Sequence, residues 1–186
     1  MPKLEVLPKR IEVLDTNDKS CSFRANVDVL NECFGLNKSV YFRACYPQKS
    51  NEFINGTDPD DKFIIWMPKL YGNSSNWKNT ISLDGCIITE MAEADRDNDW
   101  IDDGKLDVEA IRLTFVKLDL KSPYRFVGAY VIDKMDHLNH SYRRIATKVR
   151  IMGNPVAKIE LLDDCRKEVS AKMTKENFLS SLSFLK

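Results

Sequence analysis

The chain has 186 residues, 43% of them hydrophobic, which is enough to bury a core in one domain over residues 1–186. Its 28 basic and 28 acidic residues cancel, which excludes broad binding to nucleic acid or membrane through bulk charge and leaves only local patches. No segment approaches the roughly 20 apolar residues that cross a bilayer, and the scattered cysteines contain no CxxC pair, so we expect a cytoplasmic, intracellular protein without a membrane partner.

The predicted elements begin with a strand at Arg10–Leu14 and a short helix. Asn26 is the expected N-cap of that helix, and Gly35 supplies its left-handed exit. Two strands follow, Ser39–Tyr46 and Lys62–Met67, because β-branched and aromatic residues dominate them and a proline comes directly after each.

A tight hairpin is predicted next in the chain. Thr80–Ser82 and Cys86–Glu90 flank Leu83-Asp84-Gly85, and Asp-Gly is a strong signal for a two-residue turn. From Asp84 to Glu109 the chain carries ten acidic residues against two basic ones, which is typical of a solvated loop. We place this acidic loop at residues 90–107.

The second half of the chain predicts further strands and a final helix. Ala110–Leu120 and Tyr124–Asp133 are joined by a turn, and the second of them is apolar on both faces, as expected of a strand buried on both sides. Tyr142–Ile151 alternates between apolar and basic residues, and Val156–Leu162 follows it. Apolar residues at helical spacing predict a C-terminal helix at about residues 172–186.

These elements together predict an α+β fold. Strands outnumber helices, short turns favour antiparallel pairing, and no repeat or low-complexity linker interrupts the chain. We therefore expect a single domain in which an antiparallel, partly closed β-barrel over about residues 39–162 is flanked by helices.

No motif in the sequence identifies a reaction. GxSxG, GxGxxG and GxxxxGKS are absent, so hydrolase and nucleotide-binding chemistry have no support. His137 and His140 have a spacing that suits a metal, but no cysteine ligand is in register, and a polar loop between two strands is favoured. We therefore predict no catalytic residue, no metal and no cofactor.

The acidic loop leaves alternatives open. Residues 95–99 have the acid spacing of a calcium loop, but Trp100 and Leu106 stand where such a loop needs Gly and Glu. A protein-interaction or inhibitor module acting through residues 90–107 is the main alternative function. A metal-dependent nuclease using Asp107 and Glu109 is weaker, because the usual Glu-x-Lys arrangement is not evident.

Aromatic residues surround a polar segment in the middle of the chain. Trp66, Tyr71 and Trp77 bracket it, and Asn79 follows. Flat rings stack on bases, and an amide side chain offers both a donor and an acceptor to a base edge. Burial in the core is the ordinary alternative for each tryptophan. Burial is favoured more strongly for Trp66, which follows three apolar residues, than for Trp77, which lies among polar ones.

Two late segments, YRFVGAYVID at 124–133 and YRRIATKVRI at 142–151, resemble the late strands of the PUA-like superfamily, which includes the PUA, ASCH, EVE and SRA domains. The earlier KSVYFRACYP and KFIIWMPKLY resemble the barrel strands that wall the pocket, so the resemblance covers about residues 39–162. It implies a small pseudo-barrel that reads nucleic acid. In some branches it encloses a flipped, modified base in an aromatic cage, often beside restriction nucleases and in defence systems.

On this basis the sequence predicts a noncatalytic module that binds DNA or RNA and reads modified or flipped bases. The residues predicted to bind the base are Trp66, Tyr71 and Trp77 by stacking, and Asn79 and Asp84 at the base edge. The residues predicted to bind the backbone are Arg43 and a basic ridge formed by Arg144, Lys148 and Arg150.

Overall fold

The computed structural model describes residues 10–72, 77–92, 108–135 and 139–172. These residues are mostly strand. Short helical segments occur at α1 (Asn26–Asp28), in a π-helical turn at Val29–Cys33, in a 3-10 turn at Ser50–Glu52 and over residues 166–172. The strands are β1 (Val13–Asp15), β2 (Ser22–Phe23), β3 (Cys45–Tyr46), β4 (Ile54–Gly56), β5 (Lys62–Trp66), β6 (Trp77–Ile81), β7 (Ile87–Ala92), β8 (Ala110–Lys117), β9 (Tyr124–Met135), β10 (Asn139–Ala146), β11 (Lys148–Met152) and β12 (Lys158–Leu161).

The described strands form one 12-stranded sheet with the order β1-β11-β12-β4-β5-β8-β9-β10-β7-β6, while β2 pairs with β9 and β3 with β5. Most neighbours are antiparallel, and β12–β4 and β5–β8 are parallel. The six strands from β5 to β6 curl into a partly closed barrel. The curl brings β6 to the segment that follows β5, where the Asn79 side-chain amide donates to the Lys69 carbonyl at 3.1 Å.

The central barrel strands β5 and β8 are buried on both faces. On the outer face, residues such as Phe63, Leu113 and Phe126 form the larger core with the π-helical turn, β1, β2, β11 and β12. A smaller cluster, the inner-face cluster, lies inside the barrel and consists of Trp66, Ile88, Val116, Tyr130 and Tyr142. Each fully buried large apolar side chain stabilises the fold by about 1.5–3 kcal/mol. The larger core and the inner-face cluster therefore both stabilise the fold.

The α+β class and the partly closed barrel are confirmed. The predicted hairpin is present as β6 and β7, and the double-sided burial predicted for Tyr124–Asp133 is observed in β9. The C-terminal helix begins earlier than predicted, since residues 166–172 are already helical. Residues 173–186 lie outside the described part of the chain, so the rest of that helix stays a prediction.

Three local predictions are corrected. Ser39–Tyr46 is a strand only at Cys45–Tyr46, and the exposed Phe42 lies before it. Asn26 does not cap α1, because its side-chain amide donates to the Arg43 carbonyl; Ala25 is the N-cap residue. The predicted strand Tyr142–Ile151 is two strands, β10 and β11, with a break at Thr147.

None of the described helices is long and apolar enough to cross a membrane.

Hydrogen bonds at the break between β10 and β11 predict that the free energy of unfolding decreases in acid. Asp163 accepts hydrogen bonds from the N–H groups of Thr147 and Lys148, at 3.0 and 2.8 Å, and from the Thr147 hydroxyl. Burial opposes ionisation, but these bonds outweigh it and lower the pKa of Asp163. A carboxylate with a lowered pKa stabilises the fold above its unfolded pKa of about 4, and this stability is lost as the pH falls through the folded pKa.

We therefore expect Asp163→Asn to lower the free energy of unfolding at pH 7 by about 1–2 kcal/mol and to flatten its decrease below about pH 4. Urea unfolding at a series of pH values measures both effects. Asp60→Asn, at an exposed position, is the matched control. An unchanged acid limb in Asp163→Asn would contradict the assignment.

Candidate nucleic-acid interface

Three polar side chains form a row across the inner face of the barrel. β6 pairs with β7 so that Asn79 lies opposite Glu90, and β7 pairs with β10 so that Glu90 lies opposite His140. Residues directly opposite on neighbouring strands share a face, with Cβ atoms about 4.5–5.5 Å apart. Ile88 and Tyr142, two residues away on the same strands, belong to the inner-face cluster. The polar row therefore lies inside the barrel.

A buried cation lies against two aromatic rings beside this row. Arg112 is 4% exposed, and its guanidinium carbon is 4.4 Å from the Tyr142 ring centroid and 5.8 Å from the Trp66 ring. The two rings are 4.8 Å apart and tilted by 59°. A desolvated cation–π contact contributes about 2 kcal/mol. Arg112 therefore helps to hold the Tyr142 ring in position.

The Tyr142 hydroxyl connects two members of the polar row. It donates to Glu90 Oε2 at 3.3 Å and lies 3.2 Å from His140 Nδ1. His140 is 2% exposed, and its ring stands at 83° to the Tyr142 ring. A carboxylate, a phenol and an imidazole thus form one hydrogen-bonded chain in a low-dielectric environment, where such bonds are strengthened.

Asn79 ends the polar row where the barrel closes. Its Nδ2 donates to the Lys69 carbonyl at 3.1 Å, whereas its buried Oδ1 accepts no hydrogen bond from the residues that the structure describes. A buried amide oxygen without a donor costs roughly 1–3 kcal/mol. An unsatisfied acceptor one strand away from the Glu90 carboxylate is a group that a bound ligand would complete.

Two of the predicted stacking residues lie near Asn79. Trp77 begins β6 opposite Ala92, on the same face as Asn79, and is half-buried. Tyr71, also half-buried, lies two residues after Lys69 in the segment that contacts Asn79. The structure thus brings Trp77 and Asn79 together beside Glu90, with Tyr71 in the adjoining segment.

Trp66, the third predicted stacking residue, lies in the core. It is 2% exposed and packs within the inner-face cluster, with its ring against Tyr142 and Arg112. A base would reach this ring only if the cluster opened. The structure therefore shows a packing role for Trp66, and its stacking on a base stays a prediction.

The Asp84 side chain accepts hydrogen bonds within its own turn, which lies at the opposite end of the hairpin from Trp77. Its Oδ1 accepts from the Ser82 hydroxyl at 2.6 Å and from the Cys86 N–H at 2.9 Å. These bonds lower the pKa of Asp84 to about 2. Gly85 completes the turn with φ 68°, a left-handed conformation that favours glycine. The structure thus shows Asp84 bonded within its turn, and its base-edge role stays a prediction; Glu90 is the acid opposite Asn79.

Arg144 holds the same turn and is not part of an open basic ridge. Its Nη2 donates to the Asp84 carbonyl at 3.0 Å and its Nη1 to the Val127 carbonyl at 3.4 Å. The Tyr130 hydroxyl adds a bond to the Gly85 carbonyl at 2.5 Å. The Arg144 guanidinium therefore stabilises the hairpin, which is a different role from the phosphate binding predicted for it.

The other predicted backbone-binding residues lie outside the barrel. Lys148 and Arg150 are on β11 and form ion pairs with Asp15 at 3.5 Å and Glu160 at 2.5 Å. Both side chains are about half exposed, at 49% and 48%. Arg43, exposed in the segment before β3, donates to the Gln48 side chain at 2.9 Å. The structure does not bring these residues together with Arg144.

We expect the double variant Lys148→Ala/Arg150→Ala to change DNA affinity by less than about twofold, because acidic neighbours already offset both charges. The measurement is the slope of log K against log salt concentration. If these residues bind phosphates, the slope decreases by about 0.9 for each residue lost, and that result would restore the predicted ridge.

Sequence reasoning missed four residues of the interior: Glu90, Arg112, His140 and Tyr142. Glu90 was counted with the acidic loop and His140 with a polar connection. A usable signal existed for the first, because counting outward equally from the turn at Asp84-Gly85 pairs Asn79 with Glu90, as observed. No comparable local signal marks the others, since their positions depend on the pairing of distant strands.

The metal and acidic-loop predictions fall mainly on other parts of the chain. Among the described residues, no group of three or more His, Cys, Asp or Glu side chains is placed to hold a metal ion. Residues 93–107 and His137 lie outside the described ranges. The protein-interaction alternative and the nuclease alternative therefore stay predictions.

The curled sheet, with a polar row and buried aromatic rings inside it, defines a PUA-like barrel, the class that the late strands resemble. The chain belongs to the SRA family, the SET and RING associated domain, whose family model matches residues 9–151. SRA domains bind DNA and recognise modified or flipped bases. The predicted superfamily and the predicted nucleic-acid-binding function are thereby confirmed.

One solved structure adds a more specific similarity. "The 5-Hydroxymethylcytosine-Specific Restriction Enzyme AbaSI" is 29% identical in sequence and aligns with a TM-score of 0.53 over 75% of this chain. The alignment spans 42% of the enzyme, less than half of its length. This similarity fits the predicted restriction or defence context. Among curated proteins no match is found.

Proposed function

We propose that this chain is a DNA-binding module that reads a modified cytosine flipped out of the duplex into the barrel. The observation that carries the proposal is the Asn79–Glu90 pair, a carboxylate and an incompletely bonded amide on neighbouring strands, with the Trp77 indole on the same face. A flipped base needs these two things from a protein, namely groups that bond its edge and a flat ring that stacks on its face.

The chemistry of the pair suits cytosine. Cytosine presents an amino group at N4, and Glu is the side chain that accepts from it. An amide has one acceptor oxygen and two donor N–H groups; Asn79 uses one donor for Lys69 and keeps the other groups for a ligand. Thymine places an acceptor oxygen where cytosine has its amino group, so it would face the Glu90 carboxylate and be repelled.

The similarity to a 5-hydroxymethylcytosine-specific enzyme supports a substituent at C5 of the base as the feature read. Membership of the SRA family supports DNA over RNA. The network of Arg112, Tyr142, His140 and Glu90 supports readout by a preorganised site, because each of these side chains is held by a neighbour before a base arrives.

Fluorescence anisotropy with matched duplexes tests the proposal. The duplexes differ at one central position, which carries cytosine, 5-methylcytosine, 5-hydroxymethylcytosine or thymine, and an RNA duplex of the same sequence is included. We expect a modified cytosine to bind at least about tenfold more tightly than thymine at the same salt concentration. Equal affinity for all four DNA duplexes, or tighter binding of the RNA, would refute the proposal.

A further inference from the structure

We infer that a basic edge of the barrel, next to the Asn79–Glu90 pair, binds the DNA backbone and that Phe42 contacts the groove beside it. The inference rests on the proposed function, since a base that enters the barrel leaves its sugar and phosphate outside. It gives the duplex a binding surface different from the predicted basic ridge. The basic edge consists of Arg24, Arg43, Lys69, Lys117, Lys121 and Arg125.

Strand pairing brings the later residues of the basic edge together. β5 and β8 are parallel, so both end at the same edge of the sheet, and Lys69 bridges to Lys117 just beyond β5. β9 begins at the same edge, because Tyr124 lies opposite Lys117, and Lys121 belongs to the connection between β8 and β9. Arg125 follows Tyr124 and is exposed.

The N-terminal part of the chain adds two arginines to this edge. β2 pairs with the start of β9, where Phe23 lies opposite Tyr124, and Arg24 comes directly after Phe23. The Arg43 carbonyl accepts a hydrogen bond from the Asn26 side chain at 2.9 Å, which holds Arg43 close to the end of β2. Both arginines are exposed.

The basic edge adjoins the candidate base site through Lys69. The Lys69 carbonyl accepts from Asn79 Nδ2 at 3.1 Å, and Asn79 lies opposite Glu90. Lys69 is therefore a neighbour of the base-reading pair and a member of the basic edge. The phosphates next to a base bound at Asn79 would pass along this edge.

The positive charge of the basic edge is available to a ligand. None of its six residues forms an ion pair with a carboxylate that the structure describes, whereas Lys148 and Arg150 on β11 both do. Asp28 and Asp119 lie at the same edge, and each accepts hydrogen bonds from backbone N–H groups of its own turn. Six cations against these two carboxylates leave a net positive charge, which attracts phosphates.

An exposed aromatic ring projects from the loop that carries Arg43. Phe42 is 90% exposed, although its loop is held on both sides. Asn31 bonds to the N–H and the carbonyl of Lys38, at 2.7 and 2.9 Å, and the Ala44 carbonyl accepts from a backbone N–H at 2.7 Å. Beside cations that bind phosphates, an apolar ring that a fixed loop presents to water suits a DNA groove.

Salt dependence tests the charged part of the inference. Arg43→Gln/Lys121→Gln removes two charges at exposed positions, and Lys158→Gln/Lys167→Gln, at exposed positions outside the barrel, is the matched control. With the 5-hydroxymethylcytosine duplex, we expect the slope of log K against log salt concentration to decrease by about 0.9 for each charge removed from the basic edge. The control should keep the slope of the unmodified protein. An unchanged slope in Arg43→Gln/Lys121→Gln would overturn the inference.

Phe42→Ser tests the apolar part. We expect it to lower the affinity about fivefold without changing the slope, because the ring carries no charge. Leu162→Ser, at an exposed leucine after β12, is the control and should bind normally. Full affinity in Phe42→Ser would refute the groove contact.

The salt slope is the appropriate readout, because it does not depend on the fraction of folded protein or on which base is read. If the proposed function fails, the unmodified protein shows no preference between modified cytosine and thymine. If only this inference fails, that preference is intact and the slope of the edge variant is unchanged.

Discussion

Glu90→Gln is expected to remove most of the preference for cytosine over thymine. The carboxylate only accepts hydrogen bonds, whereas the amide can turn its NH₂ toward thymine O4 and its oxygen toward cytosine N4. A specific side-chain contact to a base edge discriminates by about 1–3 kcal/mol, which is roughly 5–150-fold in affinity. Competition anisotropy with duplexes that differ only at the central base measures this ratio directly.

Glu160→Gln is the matched control for this experiment. Glu160 lies on β12, outside the barrel, where it pairs with Arg150, so the same chemical change there should leave the base preference unaltered. If Glu90→Gln retains the full preference, Glu90 is not the residue that reads the base edge. A fall in affinity for every base, with the ratio unchanged, would instead indicate that Glu90 stabilises the barrel.

The parts of the fold that the sequence predicted are those governed by local rules. Asp84 and Gly85 determine the hairpin turn, because the Asp side chain bonds its own turn and glycine accepts the left-handed conformation. The buried strand β9 was predictable because an apolar run without alternation has no solvent-exposed face. The superfamily resemblance depended on this strand and the one that follows it.

Which side chains point into the barrel could not be predicted, because irregularities in the strands change the alternation of side chains between the two faces of the sheet. Gly128 has φ 130°, and a Cβ there would lie 2.7 Å from the Ala146 carbonyl oxygen. The register shifts beside it, between Thr114 and Phe115 on the partner strand. As a result Phe126 and Ala129, three residues apart, both face the outer core, which strict alternation would forbid.

The predicted basic ridge is not one continuous row of residues, for a similar reason. It assumed one uninterrupted strand from Tyr142 to Ile151, with every second residue on the same side. The pairing of β10 with β9 shifts between Arg144 and Ala146, and the chain breaks at Thr147 before β11 begins. Arg144 therefore meets the hairpin turn, while Lys148 and Arg150 lie beyond the barrel.

The candidate site depends on the pairing of strands that are distant in the sequence, and this explains why only part of its lining could be suggested from the sequence. Trp77 and Asn79 are two residues apart on one strand, so sequence alone suggested that they act together. His140 and Arg112 reach the same interior only through β10 and β8, far away in the chain. The residue types of His140 and Arg112 also favoured a wrong prediction of exposure. A histidine near a polar connection and an arginine near acidic residues both indicate surface positions.

Substitution of Trp66 should mainly affect stability, whereas substitution of Trp77 should mainly affect DNA binding. Trp66→Ala leaves a large cavity in the inner-face cluster, where the ring is 2% exposed, and is expected to lower the free energy of unfolding by about 3–5 kcal/mol. Trp77→Ala removes a half-buried ring at the start of an edge strand, so the protein should stay folded. It should lose roughly 5–150-fold in affinity for the modified base, the equivalent of one base–aromatic stack of about 1–3 kcal/mol.

Chemical unfolding and anisotropy on the same preparations separate these effects. Trp77→Phe keeps a flat ring and should recover most of the affinity, whereas Trp66→Phe should recover most of the stability, because each replacement restores the property that its position needs. A stably folded Trp66→Ala that loses base binding would place that ring in the binding site after all. A Trp77→Ala that unfolds, or that binds normally, would remove Trp77 from it.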